Sequence, residues 1–180
     1  MSKFYTKITS RVQKFMEAQK MFFVATAPIE GRINLSPKGM DSIRVVDQNR
    51  ILWLNLTGSG NETAAHILEN NKITLMFCAF DGNPNILRIY GKGKAIHPKD
   101  EAWNDAIKLF PEIPGARQIF DITVESAQDS CGMSIPFYEY KGERNQLNDW
   151  AISQGKEKIE QYWEDKNQTS IDGLPTDILK

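Results

Sequence analysis

Between Met21 and Val124 the chain reads as about six or seven short strands separated by turn residues, and this spacing constrains its fold more than any other feature. Met21–Ala27 is an apolar run that ends at the turn Pro28-Ile29-Glu30-Gly31. Ile33-Asn34-Leu35-Ser36 alternates with the period of two of a half-buried strand. Ser42–Val46 and Ile51–Leu56 flank Asp47-Gln48-Asn49 as the arms of a hairpin. Lys72–Phe80 is continuously apolar, and Ile86–Ile96 carries Gly91 and Gly93 where a bulge or a close backbone approach is expected. Ile119–Val124 alternates again. So many short strands, with helical spacing confined to the two ends and one small central run, predict a closed antiparallel barrel. The exposed edges of such sheets favour closure or dimerisation.

Helices frame this core. Ile8, Val12, Phe15 and Met16 recur at helical spacing behind Thr9-Ser10, and Pro98-Lys99-Asp100 precedes a run with Trp103, Ile107 and Phe110 on one face. From about Gly142 the chain turns polar and helical as far as Asp172-Gly173-Leu174-Pro175. Trp103, Trp150 and Trp163 fall where they would anchor helices, and Trp53, Phe77 and Tyr90 where they would fill a barrel. We place a boundary near residue 135, with a barrel domain over 1–135 and a helical extension over 136–180.

The sequence Thr57-Gly58-Ser59-Gly60-Asn61-Glu62-Thr63 lies between an apolar strand and the short amphipathic run Ala64, Ala65, Ile67, Leu68. Ser59 and Glu62 have the spacing of a capping box, so a helix is expected to start there. The unpaired N–H groups and partial positive charge of a helix start suit an anion such as phosphate. An ordinary capped helix has the same pattern, and spacing alone does not choose between the two.

Charge and composition narrow the function classes. Lysine and arginine number 22 against 23 acidic residues, a balance that gives no overall field for nucleic acid or an anionic membrane. No apolar run nears the roughly 20 residues of a membrane span, and the first residues lack a signal-peptide core, so a cytoplasmic protein is expected. Cys78 in an apolar run and Cys131 beside a glycine read as a buried and a loop thiol. With only His66 and His97, a zinc cluster or a histidine triad is hard to assemble, and no metal is expected. His66 reads as a surface or capping histidine.

Three segments in order carry a resemblance: Ile33-Asn34-Leu35-Ser36-Pro37-Lys38-Gly39, Trp53 to Asn61, and Ile86-Leu87-Arg88-Ile89-Tyr90-Gly91. Across about residues 8–130 the chain resembles the FMN-binding split barrels of pyridoxamine 5′-phosphate oxidase-like proteins. The resemblance implies a homodimer with FMN at the interface of two protomers and a small-molecule substrate. It matches Lys38 to a basic position near the flavin, Thr57 to a phosphate-binding hydroxyl, Asn61 to a phosphate-loop position, and Arg88 to an arginine on a strand that ends in glycine. The chain also departs from the family. The authentic oxidase has arginine at the position of Ile33 and an Arg-Lys pair at Glu62-Thr63. Phosphate would then rest on the N–H groups of the helix start at Gly58, on Ser36, Ser59, Asn61 and Thr63, and on the charge of Lys38 or Arg88.

The oxidase's C-terminal Arg-x-His substrate motif has no counterpart, since no histidine follows Phe120. An FMN-dependent oxidoreductase with a substrate other than pyridoxamine phosphate is therefore expected, its catalytic residues unassigned. A non-catalytic flavin-binding or stress-related protein, or a barrel using a deazaflavin, is the alternative.

Overall fold

Four residues link Lys38 to Ile43, yet the strands they join lie at opposite edges of one sheet. A computed structural model describes residues 2–180. Its strands are β1 (Lys3–Tyr5), β2 (Phe22–Thr26), β3 (Asn34–Lys38), β4 (Ile43–Asp47), β5 (Arg50–Leu56), β6 (Lys72–Cys78), β7 (Ile86–Ile96) and β8 (Ala116–Ser130). They form an antiparallel sheet in the order β3-β2-β6-β7-β8-β5-β4, with β1 on the far half of β8. A flat ladder of seven strands would separate its edges by about 29 Å. The link after Lys38 reaches at most about 18 Å. The sheet must therefore curl until β3 and β4 approach each other.

It curls without closing. Among the described residues no ladder joins β3 to β4, which corrects the closed barrel expected from strand spacing alone and agrees with the split barrel that the family resemblance implies. Pro37 lacks an N–H, and within a sheet that suits a residue of an edge strand such as β3.

Strand alternation gives the curled sheet two apolar faces. Ile51 and Trp53 of β5 join Phe22, Phe77, Phe120 and Leu87 in the main core. There Trp53 stacks on Phe120 at 4.9 Å and Phe22 on Phe77 at 5.4 Å. Leu52 and Leu54 point the other way, to Ile119 and to Phe110 beyond the short helix α3 (Trp103–Ile107). Tyr90 does not fill the barrel as expected. It sits half-buried on the opposite side of β7 from Leu87 and Ile89, with its hydroxyl on Gln128 of β8.

Helix α1 (Ser10–Ala18) begins where its signals placed it, with the Thr9 hydroxyl accepting from the Val12 N–H. Helix α2 (Glu62–Asn70) packs against β2, β6 and β7. Gly93 lies beneath that packing, where a Cβ would meet Ile67 Cδ1 at 2.8 Å and push the end of that side chain aside. The same packing buries His66 to 1% exposure, against the expectation of a surface histidine, and its Nδ1 lies 3.0 Å from Thr26 Oγ1. Cys78 is buried and Cys131 exposed, both as free thiols.

After β8 an exposed stretch without regular structure leads into α4 (Gln146–Lys166), which breaks at Gly155 where φ is +73°. Ala151, Ile159 and Trp163 of α4 pack with Ile178. The last residues turn back toward the start of α2. Among the described residues no helix is long and apolar enough to cross a membrane.

Candidate functional site

The loop between β5 and α2 sits at the mouth of a cavity of about 820 Å³. One wall is β3, whose Asn34, Ser36 and Lys38 point inward while Leu35 points out, and the exposed Ile33 just before the strand sits at the rim. The loop supplies Gly58, Ser59, Gly60, Asn61, Glu62 and Thr63. The opposite rim comes from the C-terminal segment, through Lys166, Thr169, Ser170 and Ile171. Asn55 and Arg117 complete the lining from β5 and β8.

Arg117 is the residue that reading the sequence did not single out. Strict alternation on β8 would put it on the face of Ile119, away from Asn55. The ladder between β5 and β8 instead slips beside it, pairing Asn55 with Gln118 and Leu56 with Ala116. Such a bulge re-aims a side chain, and the guanidinium reaches inward to Asn55 Oδ1, from Nη2 at 2.7 Å and Nε at 3.2 Å. Nη1 donates to the Gly60 carbonyl at 3.0 Å and to Asn167 Oδ1 at 2.8 Å. The residue is 3% exposed.

Every one of these acceptors is neutral. Among the described residues Arg117 has no carboxylate partner. Four bonds use four of the five guanidinium N–H groups, and the second hydrogen on Nη2 finds no acceptor among the described residues. Burial without a counter-charge lowers the Arg117 pKa to about 10. Lys38 is pushed down to about 8, first by burial and then by repulsion from Arg117, with its Nζ 5.5 Å from the Trp53 ring centre. Two like charges thus face one cavity whose one lining carboxylate, Glu62, pairs with neither of them. Of the other rim charges, Arg32 is paired with Asp172, and Glu62 accepts the Ile171 N–H at 3.1 Å.

The structure sorts the residues chosen from the sequence. Ser36, Lys38, Gly58, Ser59, Asn61 and Thr63 all line the cavity. Thr57 and Arg88 do not. Thr57 is buried, donates its hydroxyl proton to the Gly115 carbonyl at 2.8 Å and accepts the Trp163 indole N–H at 2.9 Å. Arg88 lies half-buried on the far side of β7, donating to Ser130 Oγ at 3.2 Å.

The expected capping box is also absent. Glu62 is already helical, Asn61 occupies the cap position, and no side chain caps α2. Asn61 has its amide engaged elsewhere, donating to the Asn167 carbonyl at 3.2 Å and accepting from Gln118 at 2.7 Å. The first N–H groups of α2 are left without a side-chain acceptor and, with Arg117 and Lys38, offer this end of the cavity a set of donors against the single carboxylate of Glu62. A phosphate monoester, with its negative charge and acceptor oxygens, fits that donor set.

The sequence model of a family described as pyridoxamine 5′-phosphate oxidase matches residues 8–131. The chain belongs to this family. A curated relative from Aspergillus flavus, the pyridoxamine 5′-phosphate oxidase family protein ustO, is 30% identical over 192 aligned positions, covering 96% of this chain and 76% of that one. A putative pyridoxamine 5′-phosphate oxidase from Lactobacillus delbrueckii superposes with a TM-score of 0.55 at 20% identity, covering 68% of this chain and 94% of the other. An FAD-binding protein from Mycobacterium smegmatis gives a TM-score of 0.51 at 12% identity, with 69% and 97% covered. At these identities the two structures support the split-barrel fold alone. Trp163, Asn167 and Ile171, which brace the cavity loop, lie beyond the matched range of the family model.

Proposed function

We propose that this protein binds FMN with the phosphate in the Lys38–Arg117 cavity and acts as an oxidoreductase on a small molecule. The observation that carries this reading is the buried, uncompensated Arg117 guanidinium facing the same cavity as Lys38 in a fold of this family. The charges that the sequence lacks at Ile33, Glu62 and Thr63 are supplied from β8 instead. Ser36, Ser59 and Thr63 would add hydroxyl donors, and Gly58 and Asn61 the loop around them. The flavin supplies the hydride chemistry, and the chain supplies orientation and electrostatics. Neither histidine lines the cavity, in keeping with chemistry carried by a cofactor.

Pyridoxamine phosphate is not the proposed substrate, because no histidine follows His97 to form an Arg-x-His motif. A homodimer with the flavin between protomers is part of the proposal. It would cover the exposed Ile33 and Leu35 of the β3 edge, and it gives Arg88, remote from the cavity of its own chain, a route to the cofactor of its partner. The division near residue 135 is retained as a proposal, with the extension acting as a brace for the cavity loop.

The visible absorbance of the purified protein, before and after incubation with FMN, tests the cofactor. A bound flavin reduced by NADH or NADPH and reoxidised by an added acceptor supports the oxidoreductase. A bound flavin inert to both nicotinamides and to a panel of acceptors favours a flavin-binding protein without turnover. A protein that takes up no flavin contradicts the proposal.

A further inference from the structure

Asn167 is the first residue after α4, buried, and held at three points. Its Nδ2 donates to the Gly58 carbonyl at 3.1 Å, and its own carbonyl accepts from Asn61 at 3.2 Å and from Thr176 Oγ1 at 2.6 Å. These contacts leave one orientation for the side-chain amide, with Oδ1 toward Arg117 Nη1 at 2.8 Å. A flipped amide would set an NH2 group against the guanidinium. The contact orients the cation while adding no charge to it. An aspartate of the same shape would neutralise it, while setting its second carboxylate oxygen against the Gly58 carbonyl.

We propose that Asn167 is a positioning residue that aims Arg117 into the cavity while leaving its charge unpaired, so that the counter-ion of Arg117 is a phosphate group of the ligand. The C-terminal segment is then part of the binding site, and the amide at this position sets its preference for anions. Two features support this beyond the contact itself. The fifth N–H of Arg117 has no acceptor among the described residues, and Lys38 faces the same space with no carboxylate paired to either cation, the Glu62 carboxylate being turned to the Ile171 N–H. Asn55, the other side chain on the guanidinium, is likewise an amide. The proposal rests on the reading that the cavity receives the phosphate end of FMN.

The test compares Asn167→Asp with Asn167→Ala, each measured for inorganic phosphate binding by calorimetry, for FMN binding by fluorescence quenching, and for thermal unfolding. Asn167→Asp is expected to bind phosphate at least about tenfold more weakly than wild type, because a paired cation no longer needs an external anion. It should also bind phosphate more weakly than Asn167→Ala, while unfolding at an equal or higher temperature than Asn167→Ala. A merely structural asparagine would make binding follow stability in both variants, and that result overturns the proposal, as does unchanged phosphate binding by Asn167→Asp. If Asn167→Ala does not fold, Asn167→Ser takes its place with the same expected order. Wild-type protein that binds phosphate but not FMN sinks the flavin reading and leaves this one standing. FMN binding that is equal in wild type and Asn167→Asp sinks this one alone.

Discussion

Trp163 donates its indole N–H to Thr57 Oγ1 at 2.9 Å, joining α4 to the start of the cavity loop across 106 residues of sequence. The same hydroxyl passes its own proton to the Gly115 carbonyl. Gly115 can present that carbonyl because its φ of +76° is readily available only to glycine. The bond fixes the loop from behind, on the side away from the cavity. Thr57 therefore shapes the loop without touching what the cavity holds.

Replacing Thr57 with valine is expected to cost about 1–3 kcal/mol, since it leaves the buried Trp163 indole N–H without an acceptor, while the Gly115 carbonyl keeps the Thr57 backbone N–H at 2.8 Å. Urea unfolding measures the loss. Phosphate affinity should change far less than in any variant of Arg117. A Thr57 variant of unaltered stability that has lost phosphate binding would return this residue to the role of a direct ligand.

Lys38→Met is expected to separate stability from binding. Its folded pKa of about 8 lies below its ordinary 10.5, so between those values the unfolded chain holds more protons. Stability in that window must rise with pH, and below about pH 8 the penalty of the buried cation is fully present. Lys38→Met should raise the unfolding temperature near neutral pH and flatten the rise above pH 8. Its phosphate affinity should be weaker at neutral pH, and it should lack the wild-type decline as Lys38 loses its proton. A lower unfolding temperature in the variant contradicts this.

How much of this could be read beforehand depended on the range of the interaction. The strand at Asn34–Lys38 and the Thr9 cap are local patterns, legible because neighbouring residues decide them. Which face of that strand turns inward was not legible: Ile33 and Leu35 are exposed while Asn34 and Ser36 line the cavity. Arg117 was not, because a ladder slip beside it reverses its face, and that slip depends on β5 some 60 positions earlier. Ser59 and Glu62 had the spacing of a capping box, yet Glu62 turned to the Ile171 N–H from the far end of the chain. Thr57 opens the expected loop, but Trp163 and Gly115 claim both capacities of the hydroxyl expected to bind phosphate. Local sequence reported the strands and the loop; long-range partners decided which of its groups stay free.

Gly91→Ala should be among the most damaging single substitutions. A Cβ there would stand 2.4 Å from the Thr123 carbonyl oxygen, and backbone on a central ladder cannot move aside as a side chain would. The expected loss is about 2–3 kcal/mol or failure to fold, read by thermal unfolding. Gly82→Ala is the control, because space around it is open, although its φ of +67° carries a modest cost of its own.

Arg88→Ala should leave inorganic phosphate binding unchanged, because its guanidinium lies on the far side of β7 from the cavity. If two protomers share the flavin, FMN binding by the dimer should weaken all the same. Sedimentation and FMN titration together check this pair of outcomes. Loss of inorganic phosphate binding in the variant would show that the charges at Lys38 and Arg117 do not suffice.

The most direct measurement compares FMN with riboflavin, which differ only in the phosphate, on wild-type protein and on Arg117→Met. Wild type should bind FMN at least about a hundredfold more tightly than riboflavin, a difference of about 2.7 kcal/mol that charge-assisted hydrogen bonds can supply. In Arg117→Met most of that preference should vanish while riboflavin binding changes little. Equal affinity of wild type for both flavins, or no affinity for either, would contradict a phosphate seated on Arg117.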